Sequence, residues 1–269
     1  MVAIKRVVKV LVLRAAGTNC DYETAFAFEH VGADAKSVHI NQLVRKEVRL
    51  KDFHILAIPG GFTYGDDIAS GKILANELKY KLAGELEKFI RDGKFIIGIC
   101  NGFQVLVKSG LLPGSDGMAG ELKATLTTND SGRYEDRWVY LKTLNSKSET
   151  RNSKCVWTRG LDEIIYLPAA HGEGKFIPKD DKVLDRLWTS GQIVFRYVDQ
   201  NGKLAGFPWN PNGSVDNIAG ICDITGRIFG LMPHPERHIF ATQHPRRSRG
   251  EVKGEGDGVA IFRNGVKKV

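Results

Sequence analysis

One cysteine stands in a context that is typical of a catalytic nucleophile. Cys100 lies in the segment GICNG at 98–102, directly after an apolar run and directly before a helix-like run at 103–108. Such a strand–turn–helix junction presents a nucleophile on a sharp turn, and flanking glycines let the backbone crowd there. A cysteine at the first turn of a helix also feels the positive end of the helix dipole. We therefore predict that Cys100 is a nucleophile and that the backbone N–H of Asn101 is an oxyanion donor.

A thiolate nucleophile needs a general base and a group that orients the base. His234 and Glu236 occur in the run MPHPER at 232–237. Its prolines favour extended backbone, and residues i and i+2 of an extended segment share a face. His234 as base and Glu236 as its orienting group would complete a Cys–His–Glu set. His171, in AHGEGK at 170–175, is a second candidate base, and residue chemistry alone leaves the two histidines undecided.

Three weaker patterns complete the candidate chemistry. A glycine pair at 60–61 follows an apolar run, where its backbone amides could approach a ligand and supply a second oxyanion donor. Residues 65–73 resemble a phosphate loop, but five residues separate Gly65 from Gly71-Lys72 where the motif has four. In addition, Ile73 replaces the magnesium-binding Ser or Thr. His234 and His238 have the spacing of helical zinc ligands, yet the intervening Pro235 argues against a shared helical face. We predict no metal and no bound nucleotide.

The elements around Cys100 predict a parallel, doubly wound sheet, because short apolar strands alternate there with amphipathic helices. The predicted strands are Val7–Leu13, Ser37–Ile40, His54–Ile58 and Lys94–Ile99, and the predicted helices are Asp21–Val31 and Ile68–Arg91, the second with a break near Gly84. Cys100 thus follows a buried strand, and the glycine pair follows its neighbour along the chain.

The second half of the chain is richer in β-structure. The predicted strands are Arg137–Leu144, Glu163–Leu167, Ile193–Asp199 and Ile218–Ile221; the helices are Lys182–Trp188 and Val259–Val266; the hairpin-like turns are Asn201-Gly202 and Asn212-Gly213. No internal repeat or long linker interrupts the pattern. We therefore predict a single α/β domain over residues 1–269, with a doubly wound mixed sheet flanked by helices.

Composition excludes several classes of protein. With 42% hydrophobic and 26% charged residues among 269, the chain is globular rather than disordered, collagenous or coiled-coil. No apolar run approaches the roughly 18–20 residues that span a bilayer, so we predict no membrane association. The four cysteines are scattered and form no CxxC pair. This usage is typical of a reducing compartment and predicts a cytoplasmic protein.

The net charge of +8 suggests a nucleic-acid ligand, but its distribution argues against one. From Pro245 onward there are seven Lys or Arg and three Asp or Glu, an excess of +4 that is half of the total. The run RRSR at 246–249 is typical of a solvated loop. We find neither the aromatic platforms nor the basic helical stripe that nucleic-acid binding needs, and we predict no nucleic-acid partner.

Five motifs together resemble those of the class I glutamine amidotransferases. They are GICNGFQ at 98–104, PGGFTYGDD at 59–67, HGEGKF at 171–176, NPNGS at 210–214 and GLMPHPER at 230–237. The elbow cysteine and the His-x-Glu pair are common to the class. The combination of the other three resembles more narrowly the glutaminase subunits of phosphoribosylformylglycinamidine synthase, over nearly the whole chain. Residues 243–256 look like an insertion relative to that family.

The resemblance implies a flavodoxin-like amidotransferase fold and a role for each motif. Cys100 would attack the side-chain amide of glutamine, His234 would move the proton, and Glu236 would orient His234; this choice favours His234 over His171 as the base. The amides of Gly61 and Asn101 would hold the oxyanion. The implied substrate-binding residues are Gln104, Asn129, Ser131, Arg133 and His171, with a partner interface as the alternative place for His171.

The resemblance also implies partners. Ammonia would pass to a synthetase subunit that converts formylglycinamide ribonucleotide to its amidine, with ATP and magnesium bound there and no cofactor in this chain. A small bridging subunit and weak activity without the partner are further expectations. The alternative enzyme is another elbow-cysteine hydrolase, of the DJ-1 or intracellular-protease type. A degenerate regulatory module is the non-enzymatic alternative, which an intact Cys–His–Glu set disfavours.

Overall fold

A nine-stranded mixed sheet forms the centre of the molecule. The computed structural model describes residues 7–114, 118, 120–144, 154–250 and 254–269. The strands are β1 (Lys9–Arg14), β2 (Asp34–His39), β3 (Ile55–Ile58), β4 (Phe95–Ile99), β6 (Glu135–Thr143), β7 (Ile164–His171), β9 (Ile193–Val198), β10 (Ile218–Cys222) and β11 (Ile228–Leu231). Their order is β2-β1-β3-β4-β11-β10-β9-β6-β7, while β5 (Ala124–Thr127) and β8 (Lys175–Pro178) form a separate antiparallel pair.

The sheet changes from parallel to antiparallel at β11. Strands β2, β1, β3, β4 and β11 are mutually parallel, and β10, β9, β6 and β7 continue antiparallel. Every residue of β3, β4 and β11 is buried. Such continuous apolar runs (ILAI, FIIGI, IFGL) are typical of parallel strands that are covered on both faces. The carboxyl ends of these three strands form one edge, which is where open α/β sheets place their sites.

Seven helices accompany the described strands. They are α1 (Asp21–His30), α2 (Ile40–Val44), α3 (Lys72–Lys81), α4 (Ala83–Arg91), α5 (Asn101–Lys108), α6 (Asp181–Thr189) and α7 (Val259–Lys268). Helix α5 contacts β3, β4 and β11 and also packs against α3, whereas α1 contacts β1, β2 and α7. The predicted α/β class and the mixed sheet flanked by helices are confirmed.

Several predicted elements need correction. Strand β11 is absent from the sequence prediction, because four apolar residues with an internal glycine look like a loop when sequence neighbours alone are considered. Strands β5 and β8 are absent from it as well, and Ile40, predicted to end a strand, begins α2. The Asn212-Gly213 turn is not a tight hairpin turn: it lies within the long connection 199–217 between the antiparallel strands β9 and β10, and the buried Asn212 side chain bonds to His171 and Tyr197. The helix break near Gly84 lies at Leu82.

The basic segment, residues 243–256, lies against an aromatic surface. Arg246 stacks over the ring of Tyr166, and its guanidinium donates to the Tyr140 hydroxyl at 2.8 Å. The part of the segment at 251–253 lies outside the described residues. Part of the local positive charge is thus held by cation–π contact with the sheet. Over the described ranges of the chain, no helix is both long and apolar enough to cross a bilayer.

Candidate active site

Cys100 occupies a strained turn between β4 and α5. Its backbone adopts φ 51° and ψ −106°, a conformation that residues with a side chain rarely take. Its N–H donates to the carbonyl of Leu231 on β11 at 2.8 Å, so the adjoining strand holds the turn. Strain of this kind is retained where the surrounding structure enforces it, commonly at functional sites.

Glycines make this turn possible by leaving room for backbone. A Cβ on Gly102 would lie 1.8 Å from the carbonyl oxygen of Ile58, and one on Gly98 would lie 2.5 Å from the carbonyl oxygen of Gly102. Gly60 has the same role toward the base, since a Cβ there would be 2.7 Å from Cε1 of His234. The glycine spacing of the elbow is therefore a packing requirement of β4, α5 and β3.

His234 and Glu236 meet directly beside the nucleophile. The ring Nδ1 of His234 lies 2.6 Å from Oε1 of Glu236, and both side chains are buried. Burial alone would lower the pKa of His234, but the charges of Glu236 and Cys100 outweigh it and raise that pKa well above its usual value. His234 can therefore hold the proton that Cys100 gives up, as an imidazolium oriented by a carboxylate and paired with the Cys100 thiolate.

Strand β7, at the far edge of the sheet, also contacts this site. The carbonyl of Pro168 accepts the backbone N–H of His234 at 2.7 Å, and the Cys100 thiol donates to the carbonyl of Ala170 at 3.6 Å. Both carbonyls belong to β7, the strand farthest along the antiparallel half of the sheet. Among the described residues, Nε2 of His234 has no hydrogen-bond partner although it is buried. That nitrogen is the atom through which a general base would act.

The two predicted oxyanion donors lie on different segments, Gly61 in the loop after β3 and Asn101 at the first residue of α5. Gly61 has φ 144° and packs against the backbone of Gly17 and Asn19, where a Cβ would come within 2.7 Å of either. Asn101 begins α5, and its side chain is held on both sides: Oδ1 accepts from the Thr63 hydroxyl at 2.6 Å, and Nδ2 donates to Asp66 at 3.2 Å. These contacts tie the turn after the nucleophile to the loop after β3.

The other predicted substrate residues fall into two groups. Gln104 and Asn129 are each 3% exposed and bond to protein: the Gln104 amide donates to the Glu173 carbonyl at 2.6 Å, and Asn129 donates to the Arg133 and His171 carbonyls. Ser131 and Arg133 are exposed on the loop after Asn129. The structure therefore leaves only Ser131 and Arg133 of these four with side chains open to solvent.

His171 lies in a buried polar cluster near the site. Its Nδ1 is 3.2 Å from Oδ1 of Asn129, and its Nε2 is 3.4 Å from Nδ2 of Asn212. Burial is the main cause that lowers its pKa to about 4, and the charge of His234 adds to the effect. His171 is thus neutral near pH 7 and has both ring nitrogens engaged, in contrast to His234.

Sequence reasoning missed an ion pair beneath the loop at 171–176. Lys108, on α5, donates to the Ser70 carbonyl at 2.7 Å and lies 3.4 Å from Oε2 of Glu173, which also accepts the Ser70 N–H. Burial is the main cause that lowers the pKa of Lys108. Glu173 belongs to the HGEGKF motif, but nothing local in the sequence shows that its partner is on the elbow helix.

A second thiol, also missed, lies beside the base. Sγ of Cys20 is 4.0 Å from Nδ1 of His234 and accepts from the Arg237 guanidinium at 3.0 Å. Cys20, His234 and Glu236 are the one group of described residues whose ligand atoms lie close enough to hold a metal, within 4.8 Å of one another. The adjacent guanidinium would repel a cation there, and the chemistry of the group favours proton transfer over metal binding.

The comparison with protein families identifies one match that covers almost the whole chain. The profile of the CobB/CobQ-like glutamine amidotransferase domain matches residues 7–269. A phosphoribosylformylglycinamidine synthase subunit PurQ of Dehalococcoides mccartyi is 50% identical over 261 residues, covering 97% of each chain. A protein of the same name from Methanococcus maripaludis is 45% identical and covers 98% of each chain.

Two solved structures are also similar to this chain. A chain of the PurLQS structure from Thermotoga maritima is 30% identical, with a TM-score of 0.73 over 98% of this chain and 99% of that one. A glutamine amidotransferase from the same organism, at 17% identity and a TM-score of 0.50, covers 91% of this chain and 82% of that one and shares the fold.

Proposed function

The chain belongs to the CobB/CobQ-like glutamine amidotransferase family, and from this premise we propose that it is the glutaminase subunit of phosphoribosylformylglycinamidine synthase. It hydrolyses L-glutamine to glutamate and ammonia. The ammonia is supplied to the synthetase subunit, which converts formylglycinamide ribonucleotide (FGAR) to formylglycinamidine ribonucleotide (FGAM) in purine biosynthesis. The observation that carries the proposal is the strained Cys100 beside His234, whose Nδ1 lies 2.6 Å from Glu236.

In the first half-reaction the Cys100 thiol gives its proton to Nε2 of His234, and the thiolate attacks the side-chain carbonyl carbon of glutamine. The oxyanion that forms is held by the N–H groups of Gly61 and Asn101. His234 then gives the proton to the leaving nitrogen, the C–N bond breaks, and ammonia departs. The product on the protein is a γ-glutamyl thioester.

In the second half-reaction water attacks the thioester carbonyl while His234 takes a proton from it. Collapse of the tetrahedral intermediate breaks the C–S bond, and the proton returns to sulfur. Glu236 keeps Nδ1 of His234 in place through both halves. His171 is not assigned the role of general base, because both of its ring nitrogens are already engaged, with Asn129 and Asn212.

The relatives support the choice of partner. The Thermotoga maritima structure is of PurLQS, and the curated relatives carry the name of a synthase subunit. The present chain works with a synthetase subunit and with a small third subunit. ATP and magnesium belong to the synthetase in this proposal, and this chain carries no cofactor of its own. The match of the family over residues 7–269 disfavours the DJ-1-type alternative.

A cytoplasmic location is part of the same proposal. All four cysteines of the chain, at positions 20, 100, 155 and 222, are buried free thiols. Free thiols are typical of a reducing compartment. Fractionation of cells that express the tagged chain tests this: recovery with the soluble reducing fraction supports it, and recovery outside the cell contradicts it.

The proposal is tested by measuring glutamate release from glutamine, with and without the purified synthetase subunit. We expect Cys100→Ala to lower kcat by at least about 1,000-fold and Glu236→Gln to lower it by about 100-fold or more. Cys222→Ala is the matched control, because it removes a buried thiol on β10, away from the site. Glutamate release that persists in Cys100→Ala would contradict the mechanism.

A further inference from the structure

The orientation of the amides around His171 determines where its proton lies. Oδ1 of Asn129 accepts the N–H of Gly174 at 2.9 Å, and Oδ1 of Asn212 accepts the N–H of Ser214 at 3.0 Å. A backbone N–H only donates, so these two bonds identify the oxygen of each amide. Nδ2 of Asn212 must then donate to Nε2 of His171, and the ring must carry its proton on Nδ1 and donate it to Asn129.

The same cluster holds the peptide that faces the nucleophile. Asn129 donates through its side chain to the His171 carbonyl at 2.8 Å and through its backbone to the Gly172 carbonyl at 2.9 Å. His171 is 3% exposed and immediately follows Ala170, whose carbonyl accepts the Cys100 thiol at 3.6 Å. Hydrogen bonds at the His171 ring, the His171 carbonyl and the Gly172 carbonyl therefore hold the end of β7 in place.

We propose that His171 is a positioning residue for Cys100, acting through the Ala170 carbonyl that it holds in place with Asn129 and Asn212. This inference rests on the proposed glutaminase function and assigns His171 to the nucleophile rather than to the substrate. The neutral ring accepts from one asparagine and donates to the other, so the strand end cannot rotate without breaking a buried hydrogen bond. The Ala170 carbonyl is thereby kept in place 3.6 Å from the Cys100 sulfur.

The cluster owes its neutrality to what surrounds it. The groups that face His171 are Glu135 and Arg137 on β6, His234 at the site, and Tyr197 on β9, whose hydroxyl accepts from Asn212 at 3.2 Å. Glu135 would favour an imidazolium, while burial and the two cations His234 and Arg137 disfavour it more strongly. The cluster is therefore built to hold a neutral ring, as the Nδ1–H tautomer requires.

The kinetic test separates a positioning residue from a substrate ligand. We expect His171→Ala to lower kcat for glutamine hydrolysis by about 10- to 100-fold while KM changes less than about threefold, because a sulfur displaced by even 1 Å is costly. His171→Gln retains an acceptor for Asn212 and should recover part of the lost kcat. A large rise in KM with kcat unchanged would overturn the proposal and make His171 a substrate ligand.

Two measurements do not depend on glutamine turnover. ¹⁵N NMR of histidine-labelled wild-type protein, assigned with His171→Gln, should show a neutral Nδ1–H ring at pH 5.5–8. Asn212→Asp replaces the donor with an acceptor and should give a ring protonated on both nitrogens. Asn212→Leu removes the partner of Nε2 altogether and should slow alkylation of Cys100 by iodoacetamide about tenfold, whereas Asn41→Leu, at an exposed position, should not.

The outcomes distinguish this inference from the proposed function. A wild-type His171 that carries its proton on Nε2 or titrates near pH 6.5 would contradict the inference, even if glutamine is hydrolysed. Unchanged alkylation in Asn212→Leu would contradict it as well. Absence of glutamine hydrolysis in the wild-type complex, with the NMR and alkylation results as expected, would contradict the proposed function and leave the positioning of Cys100 in place.

Discussion

Replacing Cys100 by glycine should leave the protein more stable than replacing it by alanine. The usual order is the reverse, because glycine loses more backbone freedom on folding, at a cost of about 0.5–1 kcal/mol. Cys100 differs because its backbone adopts φ 51° and ψ −106°. A residue with a Cβ pays about 1–3 kcal/mol to hold such a conformation, and glycine does not.

The difference between these two terms gives the magnitude. Both variants lose the same buried sulfur, but the Gly variant also loses the buried Cβ, at a cost of about 0.8 kcal/mol. With the strain near the upper end of its range, the Gly variant should still be more stable than the Ala variant by about 1 kcal/mol. At a urea m-value near 3 kcal/mol/M, this shifts the unfolding midpoint by about 0.3 M. Urea titration followed by circular dichroism of both variants, in parallel with wild type, measures it.

A control at an ordinary helical position fixes the sign. Ala25, within α1, has regular helical neighbours, and Ala25→Gly should cost about 1 kcal/mol. If Cys100→Gly unfolds at the same urea concentration as Cys100→Ala or below it, while Ala25→Gly behaves as expected, the turn at Cys100 stores no strain and the reasoning is wrong.

Three further predictions concern the surrounding network. The pKa of His171 is about 4 in the folded protein and about 6.5 in the unfolded chain. The unfolded chain therefore takes up a proton first as the pH falls from 6.5 to 4, and the free energy of unfolding drops by up to about 3 kcal/mol. Urea titrations at pH 7 and pH 4.5 should show a smaller drop in His171→Gln than in wild type. Gly102→Ala would place a Cβ 1.8 Å from a β3 carbonyl and should abolish soluble expression or activity, whereas Gly84→Ala on α4 meets no atom within 4 Å and should stabilise by about 0.5–1 kcal/mol in the same titration. A double-mutant cycle of Lys108→Met and Glu173→Gln should give a coupling of about 1 kcal/mol, and additive effects would contradict the ion pair.

The elbow was predictable from sequence because its determinants are local. Two glycines, one cysteine and the change from an apolar run to a helical one all lie at 95–108, and the turn they predict is the one observed. The pairing of His234 with Glu236 was predicted on the assumption of an extended segment in which residues two apart share a face; the pair is observed, but that assumption is wrong beyond His234. His234 is extended at φ −104° and ψ 91°, and Glu236 lies in the single helical turn that follows.

What sequence could not show depends on contacts between distant segments. Strand β11 delivers His234 and holds the Cys100 N–H, but its four residues carry no periodicity by which to recognise them. The approach of β7 to Cys100 follows from the path of the whole antiparallel half of the sheet. The sequence neighbours of Gln104 likewise do not show whether its side chain faces a ligand or the protein. In the structure it donates to the Glu173 carbonyl.

The covalent intermediate at Cys100 tests the central claim most directly. The complex with the synthetase subunit is mixed with glutamine labelled in its carbon chain, quenched in acid within one turnover, digested and analysed by mass spectrometry. We expect the γ-glutamyl label on the peptide that contains Cys100, and none in Cys100→Ala. Label on any other residue, or glutamate formed at the wild-type rate without label on Cys100 at any time point, would contradict the account.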